Sequence, residues 1–250
     1  MAKLTAKQQT QPAGYYGKLP ARADFVSRRL PRLTIAAWDS WLEASLAYSQ
    51  MALGPAWQDL YLTAPTWRFA LPARACGEAA LIGVMTPSVD AVGRCFPLLL
   101  AQPCAEPAEP ARLATGAAVW FEAAEPLALQ ALTDQCDLAL LDRPLPMPVS
   151  HSGTPELRND GRSIDNVWIP LPTSFALDAV LRDSPLVTPR AALWWTHGGH
   201  SFAPALAITV GLVTPAAFSA LIDGAPMRHG WRAADGAAPA DGDLAWDREG

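Results

Sequence analysis

The sequence predicts an α+β domain built on a central, mainly antiparallel sheet with helices on both faces. Three observations carry that prediction. Short apolar runs bounded by proline and glycine recur along the chain, the mark of strands buried on both faces. In the first half, the segments joining those runs are too short for a crossover helix, so the strands pair antiparallel. Segments with apolar residues at 3.6-residue spacing stand before, between and after them.

Taken in order, residues 1–13 are polar and rich in glutamine, carry Lys3 and Lys7, and read as a flexible basic arm. Residues 14–31, punctuated by Gly17, Pro20 and Pro31, read as a short strand followed by an irregular loop. Thr34 is the expected N-cap of a helix. Ile35, Trp38, Leu42 and Leu46 share one face of it, with Trp41 and Ser45 alongside. Gly54 and Pro55 separate it from a second helix bearing Trp57, Leu60 and Tyr61. Trp67, Phe69 and Leu71 then alternate with Arg68 and Ala70 at the strand period. Residues 79–85 and 96–101 are continuous apolar strands.

A proline-rich loop spans 103–110, and a helix is expected over 112–125, with Pro126 ending it or opening another. Residues 142–163 read as loop, 167–171 as a strand, 175–181 as a short helix, and 191–195 and 206–213 as two more strands. The last helix has Thr214 at its N-cap, Pro215 at its first position and Gly224 just past its end. Phe218, Leu221 and Ile222 lie on its buried face. From 225 to 250 alanine, aspartate, glycine and proline dominate, as in a mostly disordered tail. A single domain over 14–224 is therefore expected.

With 250 residues, half of them hydrophobic and ten of them tryptophan, the chain can bury a substantial core. Its net charge is -5, yet residues 1–35 hold seven basic side chains against the single acid Asp24. A basic N-terminal part on an acidic body suits an acidic protein face or anionic lipid. Nucleic acid is disfavoured, because no recognition motif accompanies the basic stretch. No run approaches the length of a bilayer span and the N-terminus has no apolar signal region, so a cytoplasmic protein without stable membrane insertion is expected. Cys76, Cys95, Cys104 and Cys136 show no C-x-x-C pairing and no disulfide framework is expected.

Motifs for chemistry are sparse. The chain has no G-x-G-x-x-G, no P-loop and no G-x-S-x-G elbow. His197 and His200, in THGGH, read as part of a turn joining two strands rather than as metal ligands, since neither has a cysteine or carboxylate partner nearby. Asp165, Asp178 and Asp183 lack any arrangement beyond spacing. Trp38 and Trp41 stand at helical spacing, as core residues do. Strand alternation puts Trp194 and Trp195 on opposite sheet faces, so one indole must be covered by a helix or left for a partner. These residues support neither catalysis nor a cofactor.

Several blocks resemble a known family. GYYGKLPARADFVSRRL (14–30) is similar to the opening of the TagF (ImpM) family, G-x-x-G-K-L-P-x-x-G-D-F-V-x-R-x-L. WDSWL (38–42) and WRFAL (67–71) resemble its next blocks. GVMTPSVDAVGRCFPL (83–98) resembles P-S-V-D-x-V-G-R-x-F-P-L, and LWWTHGG (193–199) and 211–218 its C-terminal part. Ala23 stands where the family usually has glycine, which points to a different backbone conformation there. Ala91 replaces a common arginine, weakening a basic feature beside Arg94.

The resemblance implies an open α+β sheet akin to longin or profilin-like adaptors. It also implies a cytosolic, post-translational repressor of bacterial type VI secretion whose partner is the forkhead-associated (Fha) scaffold protein of that system. A chain without a catalytic constellation but with a basic loop (Lys18, Arg22, Arg28, Arg29) on an acidic body is then expected to act non-catalytically, by sequestering that scaffold. Candidate partner-binding residues are Lys18, Arg22, Asp24, Arg28, Arg29, Arg94, Trp194 and Trp195. The competing role for Lys18, Asp24, Arg28 and Arg94 is to pair with one another and hold the strand–loop geometry. The alternative function is a small-molecule or lipid-headgroup-sensing adaptor. A deep pocket flanked by Trp194 or Trp195 and an arginine would favour it, and a flat sheet face would favour protein binding.

Overall fold

A computed structural model of the chain describes residues 9–104, 109–133, 136–148, 166–182 and 188–234. The elements run β1 (Thr10–Pro12), β2 (Gly14–Gly17), β3 (Val26–Arg28), α1 (Arg32–Leu53), α2 (Trp57–Thr63), β4 (Trp67–Leu71), β5 (Ala80–Thr86) and β6 (Leu98–Cys104). They continue as α3 (Pro110–Gly116), α4 (Ala118–Ala131), β7 (Pro144–Pro146), β8 (Val167–Pro170), α5 (Leu177–Arg182), β9 (Ala191–Thr196), β10 (Ala205–Val210), α6 (Pro215–Phe218), α7 (Ala220–Asp223) and β11 (Arg232–Ala233).

Nine strands form one open sheet in the order β11-β8-β10-β9-β4-β5-β6-β2-β3. All neighbours are antiparallel except β11 and β8. The expected α+β fold with a mainly antiparallel sheet is what the chain adopts.

Alternation along the strands sorts side chains into two cores. Leu193 and Trp195 of β9, Ile82 and Val84 of β5 and Leu98 and Leu100 of β6 face one side, where Trp120, Phe121 and Leu127 of α4 cover them. Ala192 and Trp194, Trp67, Phe69 and Leu71, and Leu81 and Met85 face the other, under Trp38, Trp41 and Leu42 of α1 and Phe218 of α6. Both faces are thus roofed by helices. Buried indoles also tie elements together through their N–H groups. Trp41 Nε1 donates to the Val213 carbonyl at 2.5 Å, and Trp67 Nε1 to the Leu221 carbonyl at 3.0 Å.

Several boundaries depart from the sequence reading. α1 starts at Arg32 behind Pro31, not at a Thr34 cap. Pro31 has the backbone angle that leads into a helix, and Thr34 is buried beneath Gly77. The helix expected to stop near Pro126 instead breaks at Ala117, between α3 and α4, and carries Pro126 inside α4 on its exposed side. The final helix is split at Ser219. Thr214 still caps it by accepting from the Ala217 N–H, and Gly224 closes it at φ 68°.

Both ends of the domain reach further than expected. Within the stretch read as an arm, β1 pairs with β7 in a separate two-stranded sheet, while residues 1–8 lie outside the described residues. Beyond 224, a 3₁₀ turn leads to Trp231, 3% exposed, whose Nε1 donates to the Ala217 carbonyl at 2.8 Å. β11 then adds to the sheet edge beside β8. Residues 235–250, the rest of the expected tail, lie outside the described residues. The sequence signal was one tryptophan in a stretch otherwise poor in large apolar groups.

If Trp231 closes this end of the core, Trp231→Ala should cost about 3–5 kcal/mol. Urea unfolding followed by circular dichroism measures it, and an unchanged midpoint would show that the segment does not contribute to the fold.

Candidate functional site

The loop after β2 and the loop between β5 and β6 meet at one carboxylate. Asp90 has no solvent-accessible side-chain surface. It accepts from Lys18 Nζ at 3.0 Å and Arg94 Nε at 2.6 Å, and from the backbone N–H groups of Val92 (3.0 Å) and Arg94 (2.9 Å). The last two bonds close the tight turn at Gly93, where φ is 85°. Burial pushes the Asp90 carboxyl up, but the Arg94 N–H, Lys18, the Arg94 guanidinium and the Val92 N–H outweigh it and hold it well below the usual carboxylate range.

Arg94 then reaches back with Nη2 to the Ala23 carbonyl at 2.7 Å, and Ala91 N–H donates to the Arg22 carbonyl at 2.9 Å. Ser88 joins the assembly, its hydroxyl donating to the Lys18 carbonyl at 2.7 Å and its carbonyl accepting from Tyr61 Oη at 3.0 Å. Gly17 leads into this lock at φ 139°, and a β-carbon there would collide with the Pro97 carbonyl. Ala23 is not among the positive-φ residues, so the left-handed conformation that would call for glycine does not arise.

Lys18 and Arg94 therefore do pair within the loop, through Asp90 rather than Asp24. Arg28 and Arg29 are engaged elsewhere. Asp142 accepts from Arg28 Nη1 at 2.6 Å and from Arg29 Nη1 at 2.5 Å. Arg29, at φ 61°, also donates from Nε to the Ala13 carbonyl at 2.7 Å and from Nη2 to the Leu141 carbonyl at 2.8 Å. The hydrogen bond from Arg29 and then the charge of both arginines hold the Asp142 carboxyl below its usual range, against the upward push of burial. No spacing rule links residues 113 and 114 positions apart, so the sequence carries no signal for Asp142.

Arg22 and Asp24 form no ion pair with a described residue and are exposed. Beside them Phe25 is 46% exposed and Val92 69% exposed. Phe25 lies flat on Tyr16 with centroids 5.5 Å apart, edge-on to Phe96, and under Lys18 Nζ at 5.2 Å from its ring centre. The result is a small, rigid patch in which a cation and two apolar side chains point at solvent.

Neither candidate tryptophan is on the surface, because helices cover both sheet faces. Trp194, 0% exposed, packs between Trp38, Trp41 and Phe69. Trp195, 2% exposed, meets Phe121 edge-on at 4.7 Å. Trp195 does, however, form part of the wall of a cleft of about 560 Å³. Arg68 lines the same cleft, its Nε donating to Glu125 Oε2 at 2.6 Å. At the rim His197 stacks on Phe175 with centroids 4.8 Å apart. That cover, and then the Arg68 charge, push the His197 imidazole down, partly offset by Glu125. The sequence reading passed over Arg68 and Glu125; the only signal was an arginine interrupting an otherwise apolar strand. THGGH forms the β9–β10 connection, with Gly199 bridging Phe202. Among the described residues no group of three or more His, Cys, Asp or Glu could hold a metal.

Because the Asp90 carboxyl titrates lower in the folded chain than in the unfolded one, it adds stability above about pH 3.9. That stability is lost as pH falls through the folded value. Asp90→Asn should lower the melting temperature at pH 7 and flatten the loss of stability below pH 4. Thermal melts at stepped pH check both, and identical profiles would exclude the lock.

Comparison with known proteins places the chain. Residues 14–147 match the model of the TagF N-terminal domain, type VI secretion system-associated. Among solved structures, PA0076 from Pseudomonas aeruginosa PAO1 is similar, with 31% sequence identity and a TM-score of 0.65 over 85% of this chain and 94% of that one. A search of the curated proteins finds no match. Asp90, Arg94 and Lys18 all fall inside the matched region, and the chain belongs to the TagF family, associated with type VI secretion.

Proposed function

We propose that the protein is a cytoplasmic, non-catalytic repressor of type VI secretion that docks on the forkhead-associated scaffold of the system through the patch around Arg22. The observation that carries this reading is the division of labour among the basic residues. Lys18, Arg28, Arg29 and Arg94 are paired with carboxylates of the fold, although the Arg28 and Arg94 side chains stay largely exposed. Arg22, by contrast, has no ion-pair partner among the described residues and stands beside the exposed Phe25 and Val92. A pre-ordered patch with apolar anchors and a cation that has no ion-pair partner among the described residues suits an acidic, partly apolar protein face, at little ordering cost. The charge would speed encounter and fix register more than it adds affinity.

The non-catalytic part of the proposal draws on His229 and Asp223. They pair at 2.7 Å, each with a side chain only 9% exposed, but nearby Ser219 is buried with its hydroxyl unpartnered, so among the described residues no nucleophile–base–acid relay is assembled around this pair. No helix among the described residues is long and apolar enough to cross a membrane, in keeping with an adaptor that meets its partner off the bilayer.

A second reading, the ligand-sensing adaptor, is favoured by one specific observation. The cleft beside Trp195 and Arg68 has the size and the aromatic lining of a small-molecule site.

The patch is tested with Arg22→Glu/Val92→Asp, which alters two exposed side chains without touching the Asp90 lock. Binding to purified scaffold should weaken about tenfold or more, with the melting temperature unchanged, and wild-type binding should fall with added salt. A folded double variant with wild-type affinity would remove the patch from the interface.

A further inference from the structure

The cleft between α4, α5 and the β4–β9 seam has a charge balance that selects among ligands. Glu122, Glu125 and Asp178 line it together with a single arginine, Arg68. That arginine is already neutralised by Glu125 at 2.6 Å, and its side chain is mostly covered by the wall. Its guanidinium carbon lies 6.0 Å from the centre of the Phe121 ring. Asp178 has an exposed partner in Arg182 at 3.1 Å, outside the lining. Glu122 is exposed and forms no ion pair with a described residue. The lining therefore carries excess negative charge, and the aromatic surface open to a ligand is that of Phe175 and His197, with Phe121 and Trp195 almost fully covered behind them.

Carboxylates at the rim of an aromatic basin are the combination that holds an organic cation. The rings present their negative faces to it and the carboxylates complete its solvation. An anionic ligand would have to displace Glu125 from Arg68 and face two further carboxylates. A neutral apolar ligand would leave the rim carboxylates without a role. The cleft volume of about 560 Å³ falls within the usual range for small-molecule sites, about 300–1,000 Å³.

We propose that this cleft binds a small organic cation, an amine or guanidine on an aromatic or apolar body, seated against Phe175 and His197 with its charge toward Glu122 and Asp178. This deepens the ligand-sensing reading by naming the ligand class, and it is independent of scaffold docking through the Arg22 patch, which lies on other loops.

The probes are 2-phenylethylammonium and, as the matched anion, benzoate. Each is titrated into the full chain by calorimetry and followed through the imidazole proton resonances of its four histidines. The expected result is saturable binding of 2-phenylethylammonium with shifts confined to His197, no response to benzoate, and binding weakened about threefold to tenfold in Glu122→Gln/Asp178→Asn. The double variant changes exposed side chains only, and an unchanged melting temperature confirms its fold. Repeating the measurement with phosphatidylethanolamine vesicles separates a free ammonium from one carried on a lipid headgroup. Sedimentation with vesicles that the double variant abolishes assigns the lipid as the source, and binding of the soluble probe alone assigns a free metabolite. Benzoate binding as well as the amine would overturn the charge selectivity while leaving the cleft a ligand site. Binding of neither probe and no retention on vesicles would overturn both.

Discussion

The seam between β4 and β9 is the contact on which the rest of the molecule depends. Three cross-strand pairs, Arg68 with Trp195, Phe69 with Trp194 and Ala70 with Leu193, join a five-stranded half made of β4, β5, β6, β2 and β3 to a four-stranded half made of β9, β10, β8 and β11. On one face the seam supplies Phe69 and Trp194 as the floor for Trp38 and Trp41. On the other it sets Arg68 beside Trp195 and beneath Phe121 and Glu125. One register thus fixes the largest aromatic cluster and the floor of the cleft together, because a slip of one residue would exchange the two faces.

The basic N-terminal stretch shows how charge along a sequence can mislead about charge on a surface. Seven cations and one acid within 35 residues suggest a positively charged arm. In the fold Lys18 and Arg94 close on Asp90, and Arg28 and Arg29 close on Asp142. Buried or multiply bonded pairs of this kind set geometry more than they set a field at the surface. Each cluster sets two cations against one carboxylate and so keeps one positive charge, but it is fixed in place. Among the described residues, Arg22, beside two exposed apolar side chains, is the cation the fold leaves without an ion-pair partner on this braced loop.

The central strands were the most legible part of the chain: β4, β5, β6, β8, β9 and β10 fall where a two-residue period or an unbroken apolar run lies, whereas the short strands β1, β3, β7 and β11 fall in stretches read as arm, loop or tail. The helices were legible in their apolar faces and less so at their ends. Tertiary contacts decide those ends, as when Thr34 is drawn under Gly77 rather than left to cap α1. The order of strands in the sheet was not legible, because β9 lies beside β4 only through pairings about 125 positions apart in the chain. The candidate site was legible in part for a similar reason. Lys18 and Arg94 stood out as motif residues, but the acid expected to pair with them was Asp24, and only the fold shows that it is Asp90. Asp142, Glu125 and Tyr61 acquire meaning only once the chain brings them into contact. Trp231 was hidden by its neighbours, a single anchor in a stretch whose average composition suggested no structure.

The seam also bears on how the chain can be divided. The family match ends at residue 147, before β8, β9, β10 and β11. A fragment cut at that point would leave β4, still paired with β5 on one side, as an open edge strand with the largely apolar sequence WRFAL, a template for pairing with another copy. It would also strip Trp38 and Trp41 of Trp194, Phe218 and the Val213 carbonyl. The residues that the sequence match delimits thus hold only part of the core, and a piece that keeps the whole of it runs through Trp231, whose indole N–H donates to the Ala217 carbonyl.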